Sequence, residues 1–183
     1  KPLLAAIIKY GLWQWRMLGD SDANFRYEDY REDYGKRIAG WFRSLTKSYD
    51  RLEDIDPASE VVFYPLHQEP EATLNYMAAF CSNQVATIEN FMKCLGPPQV
   101  LVVKEHPVDK GSLLREKFLE LKQRYSSLYY LPAEIHGRQV LDRAKRVVTL
   151  TSSVAWEAAA AGRSVYVLGE IFYDQLPGIT RID

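Results

Sequence analysis

The tetrapeptide Lys104-Glu105-His106-Pro107 follows the apolar run Val100-Leu101-Val102-Val103. Further along, Thr151-Ser152-Ser153 follows a second run, Val147-Val148-Thr149-Leu150. A histidine can donate a hydrogen bond to a phosphate oxygen or, when charged, stabilise a departing phosphate. Pro107 restricts His106 to extended backbone and so fixes where the ring points. The Thr-Ser-Ser turn opens into a helix predicted over residues 154–161, carrying Glu157 and stopping at Gly162. A hydroxyl pair at a helix start suits an anion, because free backbone N–H groups and the helix dipole both favour one there. Serine is also a preferred N-cap, so Ser152 or Ser153 could serve the helix alone. Taken together, the two turns point to an enzyme that handles a phosphorylated or nucleotide-linked substrate.

Two further turns carry polar groups. Pro65-Leu66-His67-Gln68-Glu69-Pro70-Glu71 follows the run Val61-Val62-Phe63-Tyr64 and stiffens one histidine and two carboxylates with two prolines. His67, Glu69 and Glu71 are therefore candidates for acid–base or nucleophilic chemistry, against the alternative of a solvated loop. Residues 130–137 contain Glu134 and His136 and could line a base or sugar pocket or form a plain loop. Glu157 could bind ribose hydroxyls or merely support its helix. Strand alternation puts Lys104 and His106 on one side and Glu105 on the other. His67, His106 and His136 lie on three separate loops rather than at helical metal spacing, so no metal site is expected.

The elements that must position these turns are strands alternating with helices. Strands are predicted near 61–64, 100–104, 128–131, 147–150 and 164–168. Helical faces fall between them: Val85, Ile88, Phe91, Met92 and Leu95; Leu114, Phe118, Leu121 and Tyr125; Val140, Leu141 and Ala144. Near-continuous apolar strands separated by helices imply an α/β, Rossmann-like, parallel five-stranded sheet covered on both faces. Such a sheet delivers every strand's carboxyl end to one edge, where open α/β sheets bind ligands.

Residues 1–57 read as a helical extension, and residues 58–183 as a Rossmann-like domain. Leu3, Leu4, Ile7, Ile8, Leu12 and Trp15 make a first apolar side, which Gly19-Asp20-Ser21-Asp22 breaks. Tyr30, Tyr34, Ile38, Trp41, Phe42, Leu45 and Tyr49 then recur at helical steps and suit core or interdomain packing. The net charge of −1 argues against nucleic acid as a partner. Cys81 and Cys94 form no CxxC pattern, which fits reduced thiols and a cytoplasmic setting. The apolar stretch at 3–8 is too short to span a membrane. A first residue Lys1 rather than Met leads to the expectation of a fragment.

With these residues located, the chain resembles the bacterial capsule and surface-polysaccharide biosynthesis proteins, glycosyltransferases of the two-Rossmann-domain type, GT-B. The matching text is Phe63-Tyr64-Pro65-Leu66-His67 through Pro70-Glu71-Ala72-Thr73, then Val103-Lys104-Glu105-His106-Pro107. It continues at residues 148–158 and 162–169. The ordered His-Pro and Ser-Ser pairs are also similar to motifs of bacterial sialyltransferases and Kdo transferases, which use CMP-activated sugars. In those families the histidine and serines contact the CMP phosphate, which implies that role for His106, Ser152 and Ser153. Lys104, Pro107, Thr151 and Glu157 would complete the donor site.

Family members often carry Tyr-Gln-Pro-Glu after the Leu-His, where this chain has Gln68-Glu69-Pro70-Glu71. The acidic-acidic-Gly motif that supplies the base in sialyltransferases is not visible, and it belongs to an N-terminal acceptor domain. The resemblance thus implies a donor-binding half that uses a CMP-sugar and needs no cofactor or metal. Its partners would be the nucleotide-sugar, a glycan or glycolipid acceptor, and an N-terminal acceptor domain or other polysaccharide-assembly proteins. It would work in the cytoplasm, with peripheral attachment to the inner membrane as an option. The alternatives are a UDP-sugar transferase or UDP-sugar 2-epimerase, and a non-catalytic nucleotide-binding or scaffold domain.

Overall fold

A computed structural model describes residues 5, 8–9, 11–12, 26–68, 76–81 and 83–182. The chain divides into two compact units, residues 1–39 and 40–183. In the first, Ile8 and Leu12 of the expected apolar side are helical and exposed. Its other members, Leu3, Leu4, Ile7 and Trp15, lie outside the described residues. Helix α1 spans Arg26–Thr46.

The second unit is a parallel sheet of β1 (Glu60–Pro65), β2 (Gln99–Lys104), β3 (Leu128–Leu131), β4 (Ala144–Thr149), β5 (Ser164–Val167) and β6 (Ile179–Arg181). Strand order is β3-β2-β1-β4-β5-β6, the doubly wound order, and every pairing is parallel. Helices α2 (Gln84–Cys94), α3 (Glu116–Arg124), α4 (Gly137–Arg143) and α5 (Val154–Ala160) connect the strands.

Alternation along the strands separates two cores. Val62 and Tyr64 join Leu101, Val103, Ile88, Phe118 and Leu121 on one face. Val61 and Phe63 join Val102, Val147, Val140, Ala155 and Ala158 on the other. Burial on both faces explains why these strands read as unbroken apolar runs. Helix α2 starts where the Asn83 side chain accepts a hydrogen bond from the Ala86 N–H, and α5 gives way to Gly162 at φ +72°.

Two elements differ from expectation. The sheet has a sixth strand, β6, whose three residues are too short and too exposed to register as an apolar run. Strand β4 begins at Ala144, which was read as helical; Ala144 is fully buried and pairs with Val61, so sheet pairing overrides its helical propensity.

Residues 40–57 hydrogen-bond into the α/β unit. Arg43 Nε donates to the Gly111 carbonyl at 2.9 Å, and the Asp50 N–H donates to the Tyr130 carbonyl at 2.9 Å. Arg143 donates to the carbonyls of Leu52 and Ile55. Gly40 and Gly111 let two backbones touch: a Cβ on Gly40 would lie 2.0 Å from the Lys110 carbonyl oxygen, and Gly111 sits at φ +79°.

Candidate functional site

The strand order reverses between β1 and β4, so the crevice between their carboxyl ends is the switch point where such sheets bind ligands. The turn after β1 is fixed there by Gln84 at the start of α2. The Gln84 Oε1 accepts from the His67 N–H at 2.7 Å, and its Nε2 donates to the His67 carbonyl at 3.0 Å. With its backbone clamped on both sides, His67 turns its ring toward β4, where Nε2 accepts the Thr151 N–H at 3.1 Å.

His67 is buried, and burial pushes its pKa down to about 4, helped by the nearby His106. The Gln84 side chain opposes this shift, yet it does not meet Nδ1 in hydrogen-bonding geometry. His67 is thus a neutral ring, with its proton on Nδ1 because Nε2 is an acceptor. The parallel pairing of β1 with β2 brings the turns after them to one edge, with His106 near His67.

His106 is half-buried, and its Nδ1 accepts the Val108 N–H at 3.3 Å. That bond leaves Nε2 as the protonated nitrogen, a donor able to meet an anion. Lys104 is buried at the end of β2. Its Nζ donates to the Glu105 carbonyl at 3.0 Å and the Ala133 carbonyl at 3.3 Å, so the ammonium ties β2 to the loop after β3. Burial lowers its pKa, while Glu105 and Glu134 work against that shift.

Glu105, to which sequence reasoning gave no role, is the hub of the neighbouring loop. Its Oε2 accepts from Tyr49 Oη at 2.8 Å, and its Oε1 accepts from the Leu113 N–H at 2.9 Å and from Ser112 Oγ at 3.4 Å. Burial raises its pKa against these donors. Burial, and then Glu105, raises that of Tyr49. The loop that starts with His106 is therefore held at its far end by the residue before its start. Gln84 carried no sequence signal, because a buried polar contact leaves no periodicity; the one signal at Glu105 is a carboxylate directly after a buried strand.

The turn after β4 is more self-contained than a bare helix start. The Ser152 N–H donates to Thr149 Oγ1, the Val154 N–H donates to Ser152 Oγ, and the Thr151 N–H is taken by His67. The free N–H groups expected at this turn are thus largely engaged. Ser153 is exposed and makes no side-chain cap, which leaves its hydroxyl for solvent or ligand. Glu157 is exposed one turn further along. Tyr173 Oη donates to the Ser152 carbonyl and supports the turn from behind.

The remaining candidates separate from this cluster. His136 is exposed and caps α4, its Nδ1 accepting the Arg138 N–H at 3.2 Å. Glu134 pairs with Lys110, which lowers its pKa. Pro107 is exposed beside His106. Glu69 and Glu71 lie outside the described residues. Among the described residues no three His, Cys, Asp or Glu side chains converge at a metal-binding distance.

Beside the turn after β4 the edge opens into two adjoining clefts, of about 610 and about 650 Å³, which share Met77, Glu170 and Arg181. Thr151, Phe172 and Tyr173 line the second. Gly169 permits this close meeting, since a Cβ there would fall 2.9 Å from the carbonyl oxygens of both Leu150 and Met77.

A family model described as "Capsule polysaccharide biosynthesis protein" matches residues 23–182, nearly the whole of this sheet and its turns. The chain belongs to the capsule polysaccharide biosynthesis family. Two solved structures share the fold of this family member, both from Thermosulfurimonas dismutans KpsC. The one described as a beta Kdo 2,7 transferase has a TM-score of 0.55 at 18% identity, covering 82% of this chain and 45% of that one. The one described as a beta Kdo 2,4 transferase has a TM-score of 0.53 at 15% identity, covering 73% and 41%. The chain thus spans less than half the length of either neighbour. No curated protein matches it. Among the described residues of this capsule-family chain, no helix is long and apolar enough to cross a membrane.

Proposed function

We propose that this chain is the donor-binding part of a capsule-polysaccharide glycosyltransferase that uses a CMP-activated sugar of the Kdo or sialic acid type. The observation that carries the reading is the meeting of three turns at the switch point of a capsule-family sheet. His67 hydrogen-bonds to Thr151, and His106 lies near enough to oppose its protonation. The solved neighbours are described as Kdo transferases, which supports a Kdo-type sugar; the choice of CMP rests on the resemblance of the His-Pro and Ser-Ser pairs.

In this reading the anionic nucleotide lies along the carboxyl edge. His106 Nε2 donates to a phosphate oxygen and so stabilises the negative charge that grows on the departing CMP as the glycosidic bond breaks. The hydroxyl and backbone N–H of Ser153 take a second oxygen, and Glu157 meets ribose hydroxyls. Lys104 contributes positive charge from beneath while bracing the loop after β3. Glu69 and Glu71 are candidates to orient the sugar or transfer a proton. The acceptor is a glycan or glycolipid presented by an acceptor domain, and the reaction takes place on the cytoplasmic side of the membrane.

Calorimetric titration with CMP, UDP and GDP tests this. CMP should bind most tightly, and His106→Ala and Ser153→Ala should each weaken it by about 1–3 kcal/mol, the usual cost of a lost hydrogen bond to a charged group. Equal affinity for CMP in folded His106→Ala protein removes that residue from the site. Tighter binding of UDP favours the UDP-sugar alternatives.

A further inference from the structure

We propose that His67 acts as a positioning residue, a neutral hydrogen-bond acceptor that, held by Gln84, sets the backbone of the Thr151-Ser152-Ser153 turn, rather than as an acid or base. The inference rests on the proposed donor site for its functional consequence but not for its geometry.

Three contacts carry it. Gln84, itself buried, grips both backbone polar groups of His67, much as a neighbouring strand would, and Tyr64 Oη donates to the same Gln84 Oε1 at 3.3 Å. The backbone is held in place, and the ring's own bond then sets its direction. Nε2 then accepts the Thr151 N–H across a sequence separation of 84 residues, joining the two strands that flank the switch point.

An Nε2 committed as acceptor has no lone pair left with which to take a proton from a substrate, and the ring is buried. Protonation would place a donor against a donor and break the link. Among the described residues, the groups that face the ring are His106 from the β2 turn, Gln84 from α2 and Thr151 from the β4 turn, and none of these is a carboxylate that would favour the charged form. The arrangement makes the ring a fixed strut that tells the Thr-Ser-Ser turn where to sit.

The test begins with the unaltered 183-residue chain labelled with ¹⁵N-histidine. Long-range ¹H–¹⁵N correlation should show His67 neutral with its proton on Nδ1 at pH 7 and still neutral at pH 5.5. A proton on Nε2, or an imidazolium at pH 5.5, overturns the proposal without reference to any ligand.

Variants then test the consequence. The Oε1 of Gln reaches roughly where Nε2 lies, so His67→Gln should keep the Thr151 amide protected from hydrogen exchange. It should bind CMP within about threefold of the unaltered chain, whereas His67→Ala should lose protection and bind about tenfold more weakly. Equal loss of CMP binding in both variants, with Thr151 protected in both, shows that the ring acts on the ligand directly and overturns the positioning role. Absence of CMP binding by the unaltered chain would instead count against the donor-site reading, while the tautomer and the Thr151 exchange would still decide this proposal.

Discussion

On the β3-β2-β1 side of the carboxyl edge, ionisable groups are tied into the fold, whereas on the β4-β5-β6 side aromatic surface stands open. Glu105 accepts from Tyr49, Ser112 and Leu113; Lys104 bridges two carbonyls; Asp109 meets Arg115 and Glu134 meets Lys110. Across the switch point, Phe172 is 91% exposed and Phe80 fully exposed, beside two open clefts. The lesson is a division of labour within one sheet edge. A pre-organised side loses little entropy when it meets a small charged ligand, while exposed apolar surface is characteristic of a region that larger partners or substrates cover.

The largest effect should come from unpicking the organised side. Glu105→Ala leaves the donors of Tyr49, Ser112 and Leu113 without their acceptor in a buried place. It should cost about 3 kcal/mol of stability and lower the melting temperature by about 6–12 °C. Glu105→Gln, which keeps one acceptor oxygen, should cost less. Denaturant melts of the two variants sharpen the comparison, and a loss no larger than that of an ordinary surface substitution breaks it.

A comparable effect is expected from pH. The folded pKa of His67, about 4, lies below the model-peptide value of 6.5, so the unfolded chain binds more protons between these limits. Stability from the neutral ring is complete above pH 6.5 and is lost as pH falls toward 4, with a total on the order of 3 kcal/mol. Glu105 acts in the opposite sense: its raised pKa means that its contribution declines as pH rises past the usual glutamate range. The difference between the unaltered chain and His67→Gln, measured by urea melts from pH 4 to 7, isolates the histidine. An identical pH dependence in the two proteins would contradict the neutral ring.

A smaller cost attends the backbone contact beneath the His106 loop. Gly111 lies at φ +79°, and a Cβ there would stand 2.1 Å from the Gly40 carbonyl oxygen. Gly111→Ala should destabilise by about 2 kcal/mol, from the left-handed backbone and the clash together. On the open side, Phe172→Ser and Phe80→Ser should change stability by no more than about 0.5 kcal/mol. A large loss there would mean that these rings are structural and that the two sides are not built differently.

Much of the frame was legible in the sequence for a simple reason: strands buried on both faces leave unbroken apolar runs, and parallel connectivity then assigns each following turn to one edge. β6 left no such trace, because Thr180 and Arg181 are exposed. The start of β4, Ala144-Lys145-Arg146, was masked by residues that suit helices. At the site, His67, His106 and the Thr-Ser-Ser turn could be placed from their positions after strands. The clamp by Gln84 and the hub at Glu105 could not, because their partners are chosen by three-dimensional packing rather than by spacing. For the same reason the serine turn promised free N–H groups, which the structure shows engaged by Thr149, Ser152 and His67.

The central claim is that an anionic nucleotide binds at the carboxyl edge, across the β2 and β4 turns. Titration of the ¹⁵N-labelled chain with CMP, followed by amide chemical shifts, tests it most directly. The largest changes should fall at residues 106, 108 and 151–154, with Glu60, Gln99 and Ser164 at the opposite edge unmoved. Changes centred on that opposite edge, or none with CMP, UDP or GDP at millimolar concentration, would contradict the account.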